Sequence, residues 1–475
     1  MLYRKKVAAL YLLGFFVDLV NMFIANVAYP DIAHAFNASI ATLAWVGNAY
    51  ILGLTVVIPL SAWLARRCGS RNIFMLSLAV FMLATLGAGA SGTIPTLIAW
   101  RFIQGLGGGL LIPLGQTMAY RMYRPEERAS LSSLIMLVGL LAPALSPALG
   151  GLIVDALSWR WIFFLNVPLA AFTLVLAWRW LRPEQVGTVH TPLDLSGLAS
   201  GALAIALALL GLTMLGEHDR QAVGAVVLAA GLLVFAWHVR GALRSAHPIL
   251  NLRLARDPLL RVSMLVYLLV PGVFMGVSLV AMFYLQTVMG MSASHTGLLM
   301  LPWSLGAFLA ISLTGKSFNR VGPKPLFLLG ALLHGAGIAL LAGVSPPLRW
   351  PLLTAAYALM GFGGSLTSSA AQSTAFLQTA DDQLGEASAL WNIGRQISFC
   401  LGVALLSVLL NLLLGLDGIT DPGDPAMSVR ATHVFHLCFA IAAASAVLPI
   451  LLCMRIGNAD ILRRLRMQPH PKTQP

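Results

Sequence analysis

Long apolar runs separated by short polar connections fill this chain from one end to the other. Runs long enough to cross a bilayer, which takes about 20 apolar residues, lie near 7–28, 44–65, 73–93, 95–120, 129–154 and 161–181. Two more follow near 195–215 and 222–243. Another six lie near 259–287, 295–315, 325–345, 351–377, 384–413 and 433–454. Inside hydrocarbon the backbone must satisfy its own hydrogen bonds, which leaves helices or closed barrels. These runs are continuous and lack the ten-residue alternation of barrel strands. The pattern therefore predicts an all-α membrane protein of about fourteen spans.

Composition agrees. Hydrophobic residues make up 58% of the 475 and charged residues 10%, against roughly 45–50% and 25% in soluble domains. A soluble globule could not hide that much apolar surface. The net charge of +13 raises the question of nucleic acid, and its distribution argues against it. The basic residues stand in short clusters between apolar runs, with no extended basic domain. By the positive-inside rule, about 24 of the 30 lysines and arginines fall on the side of the N-terminus and about four on the other. Both termini are therefore expected in the cytoplasm, and the membrane is expected to be a bacterial inner membrane. The first apolar run is long for a signal-peptide core and is read as a retained helix. Cys68, Cys400, Cys438 and Cys453 show no paired spacing, so they are read as packing thiols. No metal site, cofactor or nucleic-acid partner is expected.

Two arginines in that tally lie inside spans, Arg101 and Arg395; among the acids Asp18 is deep in a span and Glu386 stands at the mouth of another. A charge in the membrane costs at least about 2.5–3.5 kcal/mol on insertion scales, so its default reading is functional. The competing reading is a structural ion pair or a strut between helices.

Six segments carry a family signature. They are SAWLARRCGSR at the exit of the second run, RFIQGLGGG in the fourth, APALSPALGG in the fifth and WRWIFFLNVP opening the sixth, then YLQTVMGMS (Tyr284–Ser292) and GEASALWNIGRQ (Gly385–Gln396). In this order and spacing, across nearly the whole chain, the sequence resembles the fourteen-helix drug:proton antiporter branch of the major facilitator superfamily. The resemblance implies two six-helix bundles around a central cavity, with two additional helices between them. The corresponding division is 1–181, 182–258 and 259–454, followed by a basic tail at 455–475. It further implies export of small amphipathic compounds in exchange for protons. An importer or a specific-metabolite exporter on the same fold is the nearest alternative, because fold does not fix function. A membrane enzyme is the remote one; no clustered catalytic set, phosphate-cradling loop or metal-binding helix motif is visible. Small molecules, protons and the bilayer are the expected partners of a monomeric transporter.

Each segment also has a physical reading. The loop expected at 66–72 holds Arg66, Arg67, Gly69 and Arg71; the glycine allows a tight turn and the arginines can bond helix-end carbonyls. A parallel pattern at Gly315, Arg320, Gly322 and Lys324 fits a transporter built from duplicated halves. By the resemblance these loops gate the cytoplasmic side, although Ala62 and Arg66 stand where the family has glycine and aspartate. Gly139, Pro143, Pro147, Gly150 and Gly151 fall on the fifth run, where prolines interrupt the hydrogen-bond ladder and glycines allow close approach. The resemblance makes this stretch the antiporter helix.

In the first run Asn21 stands where the family has aspartate, and Asp18 lies one turn away on a similar face. At about 1.5 Å per residue, Arg101 is near the level of Asn21, with Asp18 within reach of its long side chain. Asp18 is therefore expected to carry the proton and Arg101 to regulate it as the bundles move. The alternative is that Asn21 marks a loss of coupling and Asp18 is structural. Asn26, Tyr50, Gln104, Gln116, Tyr284, Gln286, Trp303, Gln372, Asn392 and Arg395 are the substrate-cavity candidates. For Arg395, a substrate contact and pairing with backbone carbonyls are both open.

Overall fold

The computed structural model describes residues 2–36, 40–183, 192–215, 220–291, 293–345, 350–419, 422–454 and 457–467. Among these residues the secondary structure is helical, with no strand. Ten helices are individually long and apolar enough to cross a bilayer, and eleven if one bent pair counts as a span. Three more, Tyr3–Ile24, Pro125–Ala156 and Trp350–Ala375, have membrane-crossing length at 22, 32 and 26 residues. With these three, the order of elements accommodates the fourteen expected spans.

The first bundle contains Tyr3–Ile24, the bent second span, Ser70–Gly89, Ile94–Arg121, Pro125–Ala156 and Trp161–Trp180. Leu195–Leu215 and Gln221–Arg244 follow as a packed pair. The second bundle contains Pro258–Val288, His295–Val321, Pro323–Leu341, Trp350–Ala375, Leu384–Leu416 and Ser428–Met454. Starts and stops have local causes. Thr93 caps the fourth span through a capping box with Thr96, and Asp257 accepts the Leu259 amide at 2.9 Å to start the ninth. Asp194 caps the seventh span at Gly197 (2.7 Å) and also accepts the amide of Ile249 at 3.3 Å, which ties the extra helix pair to the segment leading into the second bundle.

Several boundaries differ from the sequence expectation. The first helix changes to a 3-10 turn at Ala25–Ala28, and the second span bends by 55° between Val57 and Leu60, next to Pro59. The expected loops at 66–72 and 315–324 shrink to single residues: Arg66 and Arg67 end one helix and Ser70 begins the next, with Gly69 between them at φ 82°. Likewise Gly315 and Arg320 are helical, and Gly322 at φ 76° separates the tenth and eleventh spans. A left-handed residue reverses the chain without a linker, and glycine adopts that conformation without steric cost. The duplicated sequence pattern is thus a duplicated backbone device. Gly69→Ala and Gly322→Ala are each expected to cost about 1–3 kcal/mol, measured as a lower melting temperature of the purified protein.

The tail contains one further helix. Asn458–Met467 is a ten-residue helix, anchored where the Asn458 side chain donates to the Val321 carbonyl (2.9 Å) and accepts the Lys324 amide (3.2 Å). Residues 468–475 lie outside the described ones.

Candidate functional site

A polar network occupies the middle of the first bundle. Asp18, Asn21, Tyr50, Thr85, Arg101 and Gln104 are buried, Asp18 and Arg101 to 1% exposure. The Tyr50 hydroxyl donates to Asp18 Oδ1. Arg101 lies on the face of the same tyrosine, its Cζ 4.5 Å from the ring centroid. Its Nε donates to the Val46 carbonyl (3.1 Å) and a terminal nitrogen donates to Gln104 Oε1 (2.7 Å). The Gln104 amide in turn donates to Asn21 Oδ1 (3.0 Å) and Thr85 Oγ1 (2.6 Å). Arg101 is therefore linked to Asp18 through Tyr50 and held by a carbonyl, an amide and an aromatic face. In a low dielectric a connected network of this kind holds its members in place.

The glycines of the fourth span make this geometry possible. A Cβ at Gly105 would fall on the Tyr50 carbonyl oxygen, and one at Gly53 on the Phe102 carbonyl. The second and fourth spans therefore touch backbone to backbone, as small residues allow between membrane helices. Gly108 leaves the room taken by the Asp18 carboxylate and the Tyr50 hydroxyl, and Gly107 lies against the backbone of Phe81 in the third span. In the RFIQGLGGG segment Gly105 and Gly109 admit the second span, Gly107 the third, and Gly108 the Asp18 and Tyr50 side chains.

A second group joins the two bundles at the end that carries both termini. Arg66, closing the second span, pairs with Glu386 of the thirteenth at 2.8 Å, and Asn251 donates to the other Glu386 oxygen at 2.8 Å. Arg128, at the start of the fifth span, pairs with Asp381 at 3.1 Å and donates to the Phe376 carbonyl at 2.9 Å. Arg121 donates to the Asp381 carbonyl at 3.3 Å. Deeper in, Asn392 donates to Gln116 Oε1 at 2.8 Å across the bundles, and the Tyr120 and Phe376 rings lie 5.0 Å apart. Alongside them Leu140 packs on Ala307 and Ile311, with Trp303 at the edge of the cluster.

The other candidates are dispersed. Arg67 lies 5.3 Å over the Trp63 ring and Arg71 donates to the Trp178 carbonyl at 3.3 Å, both within the first bundle. Lys324 Nζ donates to the Met454 carbonyl at 3.0 Å, while Gly315 lies against Ser133. Gly139 lies 3.7 Å from Phe15 by the position of its missing Cβ, and Gly150 is buried. Pro143, Pro147 and Gly151 fall on the continuous fifth helix, but their own surroundings lie outside the described ones, as does the side chain of Asn26. Gln372 is buried beside Tyr120. Tyr284 donates to the Val344 carbonyl and packs on Phe435 and Phe439 inside the second bundle. Gln286 sits in the adjoining π turn. Tyr284 belongs to a different apolar cluster from the one that holds Tyr50.

Sequence reasoning missed Arg128, Asp381, Asn251 and Thr85. Arg128 had a signal, because a buried cation at a helix start needs an acceptor from elsewhere; Asp381 lay in a polar connection with nothing to set it apart.

Two bundles, a buried ionisable network in one of them and a polar latch between them are the anatomy of a membrane transporter. A sequence model of the Major Facilitator Superfamily matches residues 11–403, and the chain belongs to that superfamily. It is 31% identical over 402 residues to the multidrug resistance protein B homolog of Mycobacterium tuberculosis, covering 82% of this chain and 73% of that protein. It is 30% identical over 468 residues to the putative multidrug resistance protein MdtD of Klebsiella pneumoniae, covering 95% of each. The drug efflux pump JefA of Mycobacterium tuberculosis is 30% identical over 421 residues, 86% of this chain and 82% of that one. Among solved structures, the human organic anion transporter MFSD10 superposes with a TM-score of 0.66 at 15% identity, over 95% of this chain and all of that one. The proton:xylose symporter XylE superposes with a TM-score of 0.65 at 14% identity, over 98% of this chain and 99% of that one. At these identities the superpositions establish the fold.

Proposed function

We propose that this chain is a proton-coupled exporter of small amphipathic compounds, working by alternating access, with Asp18 as the proton-carrying group. The observation that carries the proposal is the Asp18 carboxylate, buried at the middle of the first bundle and held by a neutral tyrosine hydroxyl. A carboxylate in hydrocarbon is costly, and one that can lose its charge by taking a proton is suited to coupling. The names of the sequence relatives support amphipathic drugs as the cargo class. In this reading both termini face the cytoplasm of a bacterial cell, residues 182–258 link two bundles at 1–181 and 259–454, and the transporter acts as a monomer. Transport in everted vesicles with and without an imposed pH gradient tests it. Accumulation that rises with the gradient supports export, and accumulation indifferent to it or of opposite direction rejects it.

The latch at the terminal end then serves as the cytoplasmic gate, formed here by Arg66 and Glu386 where the family has an aspartate at the Arg66 position. Its side chains are 44% and 24% exposed, so solvent screening limits the pair to about 1 kcal/mol, or about a fivefold shift between closed and open populations. Glu386→Arg is expected to raise labelling of a cavity cysteine from the cytoplasmic side by about that factor. The exchange Arg66→Glu with Glu386→Arg is expected to restore the wild-type rate. Unchanged labelling in the single variant would show that the pair does not hold the gate.

A further inference from the structure

Two arginines lie in the spans around Asp18, and they differ in how they are mounted. Arg101 shares a bundle with Asp18 and is held against Tyr50, Val46 and Gln104 of that bundle. A rigid-body rotation of one bundle against the other leaves the distance between Arg101 and Asp18 unchanged. In a rigid-body swing, Arg101 would act on Asp18 as a constant background rather than as the element that moves.

Arg395 is mounted on the thirteenth span, in the other bundle. Its Cζ lies 5.5 Å from the centroid of the Phe15 ring. Phe15 precedes Asp18 by three residues, which puts both on one face of the first helix. The Arg395 Nε is buried and has no hydrogen-bond partner. The titratable and charged groups around the pair are few. Asp18 is faced by Tyr50 from the second span, Arg101 from the fourth and Arg395 from the thirteenth; Arg395 is faced by Tyr11 from the first span and Tyr267 from the ninth.

We propose that Arg395, rather than Arg101, is the positioning cation through which movement of the bundles sets the proton occupancy of Asp18. The proposal rests on the reading of Asp18 as the proton carrier. In the arrangement described, closed at the terminal end, Arg395 stands beside the first helix and favours the ionised carboxylate. The same attraction helps to hold that end closed. A proton arriving from the opposite side neutralises Asp18, removes the attraction and favours opening at the terminal end, where Arg395 swings away. By linkage, whatever opens that end must raise the proton occupancy of Asp18 in equal measure.

The test uses the full-length protein reconstituted in lipid. Infrared difference spectroscopy follows the protonated carboxyl band that Asp18→Asn removes, and the pH at half-protonation is measured. Arg395→Gln is expected to move this midpoint to higher pH by about one unit, a tenfold change in proton binding. Arg395→Lys, which keeps the charge, is expected to move it by less. Glu386→Gln, which loosens the latch, is expected to move the midpoint upward in the wild-type background and not in the Arg395→Gln background. A role of Arg395 in packing alone would leave the effect of Glu386→Gln the same in both. A midpoint unmoved by Arg395→Gln, or equal effects of Glu386→Gln in both backgrounds, overturns the proposal while leaving Asp18 as the proton carrier. A band that persists in Asp18→Asn overturns the proton-carrier reading itself, and this proposal with it.

Discussion

Asp18→Asn is expected to abolish the stimulation of transport by a pH gradient, while the protein still inserts, folds and elutes as the wild type does. The amide is the same size as the carboxylate and its oxygen can accept the Tyr50 hydroxyl, so the contact between the first two spans survives. What is lost is the exchangeable proton. Removing a charge from the membrane interior also removes a cost of at least about 2.5–3.5 kcal/mol on insertion scales, so the variant should melt no lower than the wild type. Flux in reconstituted vesicles at equal and unequal pH separates the outcomes. Gradient-driven flux should fall to the level seen without a gradient, and a variant that keeps its full response would remove Asp18 from the mechanism.

Gly105→Val is expected to have the largest effect on the fold. A Cβ at this position would clash with the Tyr50 carbonyl oxygen and would stand 2.9 Å from the Leu54 amide nitrogen. Both obstacles are backbone and cannot rotate aside, so the second and fourth spans must separate. Overpacking of this kind costs about 3 kcal/mol or more, and the separation would draw Tyr50 away from both Asp18 and Arg101. Melting in detergent, followed by monodispersity, reads the loss. Gly297→Ala supplies the contrast: it is helical with nothing within 4 Å of the added methyl, and alanine there should be neutral or stabilising by about 0.5–1 kcal/mol. Equal melting temperatures for the two variants would show that backbone contact between the spans is unimportant.

Much of the site was visible in the sequence as single residues. Asp18, Arg101 and Arg395 declared themselves because ionisable groups inside apolar runs are rare. Tyr50 and Gln104 were named as cavity lining, but nothing in their spacing showed that one would stand between the acid and the arginine, or that the other would bridge Arg101 to Asn21 and Thr85. The gating end was half visible. The arginines after the second span and the acid at the mouth of the thirteenth were both noted, 320 residues apart, with no pattern to join them.

The sequence by itself determined the membrane class, the all-helical fold, the family and the duplicated glycine turns. These depend on local chemistry: apolar length against bilayer thickness, and a residue that tolerates positive φ. Tertiary structure decided which charges share a bundle and which face each other across the interface. That division follows from the packing of distant helices, and it puts Arg101 in the same bundle as Asp18 and Arg395 in the opposite one.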